Sequence, residues 1–420
     1  MKLAKLSLAA MVVAGLATSS FAADTLADAF KNGKVNGELR AWYFDRDRAS
    51  ATPTNDADLL NTGLVLGYVT DAFNGFSMGV TMQSSFSPFA DTDAKRVMGG
   101  VSGEYGSGAV ISEGYLNYAL GKTNVKAGRM FLSTPLVAGS GSRIIKQSFE
   151  GALITNTDLP NTTLAAGVVT KFQNRTDGNG GAPKFNELNN DHDYAYTILA
   201  INKSIPGLTL TAQYASLDND AKATVAAAPA GTYAARLLAA QTGGFDDYYL
   251  EADYKGKAGN IGYGVAANYL YTDWISYDAG TMYGVKASID WSALKAYVAY
   301  SSISDDDDNK GVAAGLGGGA QPNFVKGYQF TSGTYTSDTT GLSVDANYNF
   351  KDLGLLVGAR YTQLDVASAA ATDDDRSYTD LYAVYNFAGA LKGLAFDVSY
   401  SDMGKDVEGS DLWFKANYKF

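Results

Sequence analysis

Ser410-Asp411-Leu412-Trp413-Phe414-Lys415-Ala416-Asn417-Tyr418-Lys419-Phe420 is the stretch whose reading decides the fold. Counting back from Phe420, every second residue is apolar: Tyr418, Ala416, Phe414, Leu412. Lys419, Asn417, Lys415, Trp413 and Asp411 alternate with them. A period of two, with one greasy and one wet face, is the pattern of a strand standing between lipid and water. One strand of a soluble sandwich shows the same alternation, so the decision passes to the rest of the chain.

The rest repeats the rhythm. Lys34 to Phe44 places Val35, Gly37, Leu39, Ala41 and Tyr43 on one face and Lys34, Asn36, Glu38, Arg40 and Trp42 on the other. Segments of this kind recur to the end of the chain, joined by connections that are short, then long. The short ones carry turn residues, as in Asp71-Ala72-Phe73-Asn74-Gly75 and Leu159-Pro160-Asn161. The long ones are polar, among them 45–58, 87–108, 133–147, 172–191, 218–245 and 304–338. Membrane barrels have tight periplasmic turns and long external loops, whereas a sandwich has no reason to put long loops at every second connection. The expected fold is therefore all-β, a transmembrane antiparallel up-and-down barrel. It has 18 strands between 33–44 and 410–420, or 16 if 109–119 and 148–156 are not strands. The Ala-rich run 223–240 reads as a short loop helix, and Leu26–Phe30 as a helical turn before the first strand.

Residues 1–22 read as a secretory signal. Lys2 and Lys5 give a positive start, Leu6 to Leu16 is apolar, and Ser20-Phe21-Ala22 supplies the small residues of a cleavage site. Its removal takes the net charge from −11 to −13 and leaves 23–420 as a single barrel domain. The acidic balance excludes nucleic acid as a partner. Cysteine is absent, which removes thiolate chemistry and most structural zinc sites. Gly (46) and Tyr (28) are abundant and suit a curved, membrane-facing sheet. A mean hydropathy of −0.12 does not argue against this, because barrels hide their signal by alternating. No metal or other cofactor is expected. The four carboxylates of Asp305–Asp308 lack the glycine and bidentate-Glu spacing of an EF-hand loop and read as a solvated, cation-attracting surface, as does Asp373–Asp375.

Two stretches resemble the OprD-type outer-membrane porins and the related major porins of epsilon-proteobacteria. One runs from Leu26-Ala27-Asp28-Ala29-Phe30 through Gly37-Glu38-Leu39-Arg40-Ala41-Trp42-Tyr43-Phe44. The other is Ala127-Gly128-Arg129, Thr134-Pro135-Leu136, Ser142-Arg143 and Gln147-Ser148-Phe149-Glu150-Gly151, followed by Leu164-Ala165-Ala166-Gly167. The terminal Phe420 also looks like the C-terminal signature of bacterial outer-membrane barrels. The resemblance implies an 18-stranded barrel in the outer membrane of a Gram-negative bacterium, often a homotrimer. Its third external loop, here Ser133–Gln147, would narrow the pore. Its partners would be membrane lipids, ions and small polar solutes, and the barrel-assembly machinery reading the Phe420 strand. The family often carries an arginine strip at the constriction, for which Arg40, Arg143 and Arg360 are the counterparts.

If the Leu/Val/Tyr face looks to lipid, the opposite face lines the interior. The basic residues expected there are Arg40, Lys126, Lys171, Lys286, Arg360 and Lys415, and the acidic ones Glu38, Glu113, Glu150, Glu251, Asp253, Asp345, Asp380 and Asp397. Of these, Arg40, Glu113, Lys126, Glu150, Lys286, Arg360 and Lys415, with Arg143, form the expected pore lining. Arg129 falls on the lipid parity, so a bulge re-aims it or the register slips there. Segment 193–203 reads apolar on both faces.

The functional reading is a passive channel, weakly cation-preferring because acids outnumber bases. An enzyme is not expected. A barrel hydrolase would need His192, the only histidine, as its base, and no G-x-S-x-G elbow is present. A surface adhesin is the third class.

Overall fold

The computed structural model describes residues 23–48, 56–99, 103–188, 194–217, 244–275, 277–304, 311–330, 334–366, 375–405 and 408–420. The expected signal, the 223–240 run, His192, Asp305–Asp308 and Asp373–Asp374 lie outside them.

The strands are β1 (Lys34–Asp47), β2 (Ala57–Val69), β3 (Phe76–Phe86), β4 (Ser107–Leu120), β5 (Thr123–Met130), β6 (Ser148–Asn156), β7 (Thr162–Gln173), β8 (Phe185–Glu187), β9 (Ala195–Asn202) and β10 (Leu208–Leu217). They continue with β11 (Phe245–Ala258), β12 (Ile261–Trp274), β13 (Gly280–Trp291), β14 (Leu294–Ile303), β15 (Thr339–Phe350), β16 (Leu355–Val366), β17 (Arg376–Asn386), β18 (Leu394–Lys405) and β19 (Gly409–Lys419). Each pairs antiparallel with the next, except that β7 pairs with both β8 and β9, and β19 returns to β1. β8 is a three-residue flap on the end of β7. The ring is therefore the expected 18 strands, and 107–120 and 148–156 are both full members. Closure leaves no strand edge open, which is what a sheet in hydrocarbon requires.

Burial runs opposite to a soluble protein. On β12 and β13 the outward Val265 and Val285 are 57% and 53% exposed, while the inward Leu270 and Met282 are 0% exposed. Segment 195–202, unreadable from sequence, resolves the same way: Tyr196 and Ile198 face out, Leu199 and Ile201 pack inward with Ala165 and Leu153.

Short turns join the strands at one end, and the long connections gather at the other. Before β1, the helix Leu26–Lys31 is capped by Thr25, whose hydroxyl accepts from Asp28 N. It is tied to the first short turn through Asp71 N to Ala29 O at 2.9 Å.

What fills the barrel is loop. Three apolar clusters each glue one or more inward loops to the wall. In the largest, Leu132, Leu136 and Val137 of loop 3 (131–147) and Val312, Ala313 and Leu316 of loop 7 (304–338) meet Met130, Phe149, Leu270, Met282 and Ile303 of the wall. In the second, Ala94 and Met98 of a loop 2 helix (Thr92–Met98) and Ile144 of loop 3 cover Trp42, Phe44, Leu59 and Trp413. In the third, Val325 of loop 7 sits among Ala299, Leu364, Val366, Tyr378 and Met403. Each fully buried Leu, Ile or Val contributes about 1.5–3 kcal/mol, so these contacts hold the loops in place.

Candidate functional site

Loop 3 crosses the lumen and is fastened at both ends. At its tip a tight turn forms because the Thr134 hydroxyl accepts from Val137 N at 3.0 Å, with Thr134 N donating to Val137 O at 2.9 Å. Leu136 N then donates to Gln213 Oε1 on β10 at 2.9 Å. At its return end, Gln83 on β3 grips Lys146 from both sides, its amide oxygen accepting from Lys146 N and its nitrogen donating to Lys146 O, each at 2.9 Å. Arg40 Nη1 donates to Ile144 O at 2.6 Å. Arg175 of loop 4 reaches Ser140 Oγ at 2.8 Å.

Loop 7 completes the narrowing and was not foreseen. It lies along loop 3 in a short ladder: Leu316 N to Leu136 O at 2.7 Å, Ala138 N to Leu316 O at 3.0 Å and Gly319 N to Ala138 O at 3.0 Å. Further on, Tyr328 N donates to Asp380 Oδ2 at 2.8 Å and Gln329 Nε2 to Ser399 Oγ at 2.8 Å, pinning the loop to β17 and β18. A sequence signal was present. Val312-Ala313-Ala314-Gly315-Leu316-Gly317-Gly318-Gly319-Ala320 carries no polar side chain, which is odd for a segment meant for water.

The expected lining residues divide by partner. Arg40 pairs with Glu38 at 3.0 Å. Arg360 pairs with Asp345 at 2.9 Å, and Tyr382 OH donates to the same carboxylate at 3.0 Å. Arg143 pairs with Glu104 of loop 2, a buried acid that also takes Arg46 at 3.1 Å. Arg46 in turn lies 3.3 Å from Asp411. Three lysines rest on aromatic rings instead. Lys415 lies between Trp42 and Trp413, 4.7 and 4.4 Å from their centres. Lys126 lies 4.2 Å from the Tyr115 ring and Lys286 4.7 Å from Phe324 of loop 7. Glu113 accepts from the Thr81 hydroxyl at 2.7 Å. Glu251 hydrogen-bonds Tyr249, and Asp253, Asp380 and Asp397 share the inward parity of their strands.

Glu150 and Lys171 are corrected. The register of β6 and β7 shifts at Glu150/Gly151, and that bulge reverses the parity read from sequence. Glu150 and Lys171 lie with Arg129 on the outer wall, so Arg129 keeps the lipid-side parity that the sequence showed. Lys146, Glu104 and Arg175 were missed because they lie in loops, where no strand parity marks them. Burial pushes the Lys146 ammonium below the usual lysine range; Glu113 opposes this and Arg40 adds to it. Among the described residues no His/Cys/Asp/Glu group is placed to hold a metal ion.

Residues 114–191 match the family model described as outer membrane porin, OprD family. No curated protein matches the sequence. Among solved structures, OccK9 (OpdG) of Pseudomonas aeruginosa superposes with a TM-score of 0.76 at 15% identity, covering 93% of this chain and 99% of the other. OpdK of the same organism, solved with vanillate, gives 0.71 at 14% identity over 93% and 99%. OccK2 (OpdF), solved in complex with glucuronate, gives 0.71 at 15% identity over 93% and 98%. At these identities the likeness is one of fold.

Proposed function

Taking this chain as an outer-membrane porin of the OprD type, we propose that it is a passive channel for ions and small polar solutes, narrowed by loop 3 against loop 7 and weakly cation-preferring. The observation that carries the preference is the pairing of the arginines. Arg40 has Glu38, Arg360 has Asp345, and Arg143 shares Glu104 with Arg46, so the basic strip adds little net positive charge. The loops around the mouth are acidic and concentrate cations there at low salt. No reacting group is required of it, since a field and a bore suffice.

A second reading has its own support. Lys126 and Lys415 sit on rings rather than on carboxylates, and Lys146 lies over Phe131 at 4.5 Å. Such lysines attract a carboxylated solute, the chemical class of the vanillate and glucuronate of the two neighbours above. Single-channel recording in planar bilayers tests both. A conducting pore with a reversal potential on the cation side of a KCl gradient supports the first reading. Current block by carboxylates but not by neutral analogues supports the second. Absence of conductance overturns the channel itself.

A further inference from the structure

On the outside of the barrel, one sector breaks the rule that a wall facing hydrocarbon carries no charge. Arg129 on β5, Glu150 on β6 and Lys171 on β7 stand side by side in register. Their strand neighbours Met130, Phe149 and Phe172 pack into the lumen cluster, so these three point outward. Arg129 Nε donates to Glu150 Oε2 at 2.9 Å, and Lys171 Nζ lies 3.5 Å from Oε1. Phe185 of β8 covers the Arg129 guanidinium at 4.3 Å.

The triad sits where the rest of the wall has tyrosines. Towards the long-loop ends of β9 to β14, Tyr196, Tyr214, Tyr248, Tyr283 and Tyr300 are exposed outward. Their rings approach from strand to strand: Tyr214 to Tyr248 at 5.1 Å, Tyr248 to Tyr271 at 6.0 Å and Tyr269 to Tyr283 at 6.2 Å. That is an interfacial aromatic belt, and it stops at β7. Around the triad the outward residues are small: Gly114 opposite Arg129, and Ala127 opposite Ala152. The wall is also low there, β5 and β6 having 8 and 9 residues against 14 in β1. Small residues on a low wall let another protein surface approach its backbone closely, and lipid gains little from them.

The chain carries a surface of the opposite character. At the long-loop end of β1 and β2, Asp45 lies directly across from Asp58, with Asp47 two residues on. Their neighbours Phe44 and Leu59 are buried inward, so these carboxylates point outward. Like charges set opposite each other destabilise a sheet, and cations brought from outside offset that. On a ring of this size each strand step is about 20°, so β2 and β5 are about 60° apart, the angle between the two neighbours of a copy in a closed threefold ring.

We propose that the outer wall of β5 to β7 is the docking face for the acidic β1–β2 edge of a second copy of this chain, and that three copies close the ring. Arg129 and Lys171 meet the partner's carboxylates while the glycine and alanines bring the two walls together.

The chain has no cysteine, so disulfide trapping has no background. Ala41→Cys with Ala152→Cys, oxidised in outer-membrane fractions, is expected to give a covalent ladder ending at the trimer, and each single variant none. A dimer from Ala152→Cys alone would mean that the wall meets itself and would overturn the proposal. So would the absence of any ladder from a protein that is monomeric by native mass spectrometry. In a second experiment, Arg129→Glu with Lys171→Glu is expected to release monomers, and adding Asp45→Lys with Asp58→Lys to restore the trimer. A monomer that instead holds a phosphorylated lipid, lost in the Arg129/Lys171 variant, would assign the wall to a lipid headgroup and overturn the proposal. Conductance per barrel is expected to be unchanged throughout, which keeps this test separate from that of the channel.

Discussion

Phe420, the last residue, exchanges both backbone hydrogen bonds with Gly37 of β1, N to O at 3.0 Å in each direction. Its ring lies over the face where Gly37 has no side chain. The terminal aromatic residue is thus a part of the seam that closes β19 onto β1, and its ring covers a glycine that weakens the strand on its own. Gly37→Val has no room beneath that ring, and overpacking of this kind costs about 1–3 kcal/mol. The barrel is expected to lose its resistance to SDS at a lower temperature, read as the shift between folded and heated gel mobility. An unchanged transition would mean that the ring moves aside freely. Phe420→Asp, which puts a charge at the lipid boundary, is expected to reduce outer-membrane insertion as well. Normal surface levels of that variant would show that the terminal residue is not read during assembly.

Loops 3 and 7 share a ladder, so neither is expected to hold its place without the other. Deleting Val137–Ser142 removes the tip of loop 3 together with Ala138, which bonds Leu316 and Gly319. Conductance is expected to rise, and open-channel noise with it. Gly315 tests the same contact from the other side. Its φ of +84° suits glycine, and a Cβ there would run into the Leu136 carbonyl. Gly315→Val is expected to free loop 7 and give the same rise in conductance. A rise in the deletion but not in Gly315→Val would place the narrowing in loop 3 alone.

The wall was legible in the sequence because lipid on one side and water or packed loop on the other force a period of two. Leu39 and Arg40, or Phe414 and Lys415, declare their faces on sight. What filled the wall was not, since loop residues have no period and their neighbours lie far away in sequence. Lys146 is held by Gln83, and Leu316 by Leu136. A single bulge at Glu150/Gly151 was enough to carry Glu150 and Lys171 to the wrong side. No local residue pattern announces such a bulge. β8 escaped notice because three residues cannot show an alternation.

Arg360 and Asp345 form a pair in which both partners are largely buried, with side chains 15% and 3% exposed. Removing one side of such a pair leaves an uncompensated charge and costs about 3–5 kcal/mol. Asp345→Asn is therefore expected to lower the thermal midpoint and to shift the reversal potential towards anions, because the guanidinium is left unbalanced. Arg360→Met is expected to shift it towards cations. The same direction in both variants would mean that this pair does not face the permeation path.

Lys146 makes the selectivity depend on pH. Burial holds its ammonium below the ordinary lysine value of about 10.4. As pH rises, the folded protein gives up this proton before the unfolded chain does. Between the two values the unfolded state binds more protons, so stability rises with pH in that window. The same step removes a positive charge from the return end of loop 3, close to Arg40 and Glu113. Reversal potentials measured from pH 7 upward are expected to bend towards stronger cation preference below the pH at which exposed lysines titrate. Lys146→Arg keeps the charge and is expected to abolish the bend. A bend of equal size in that variant would assign the titration to another group and leave Lys146 outside the field that permeating ions feel.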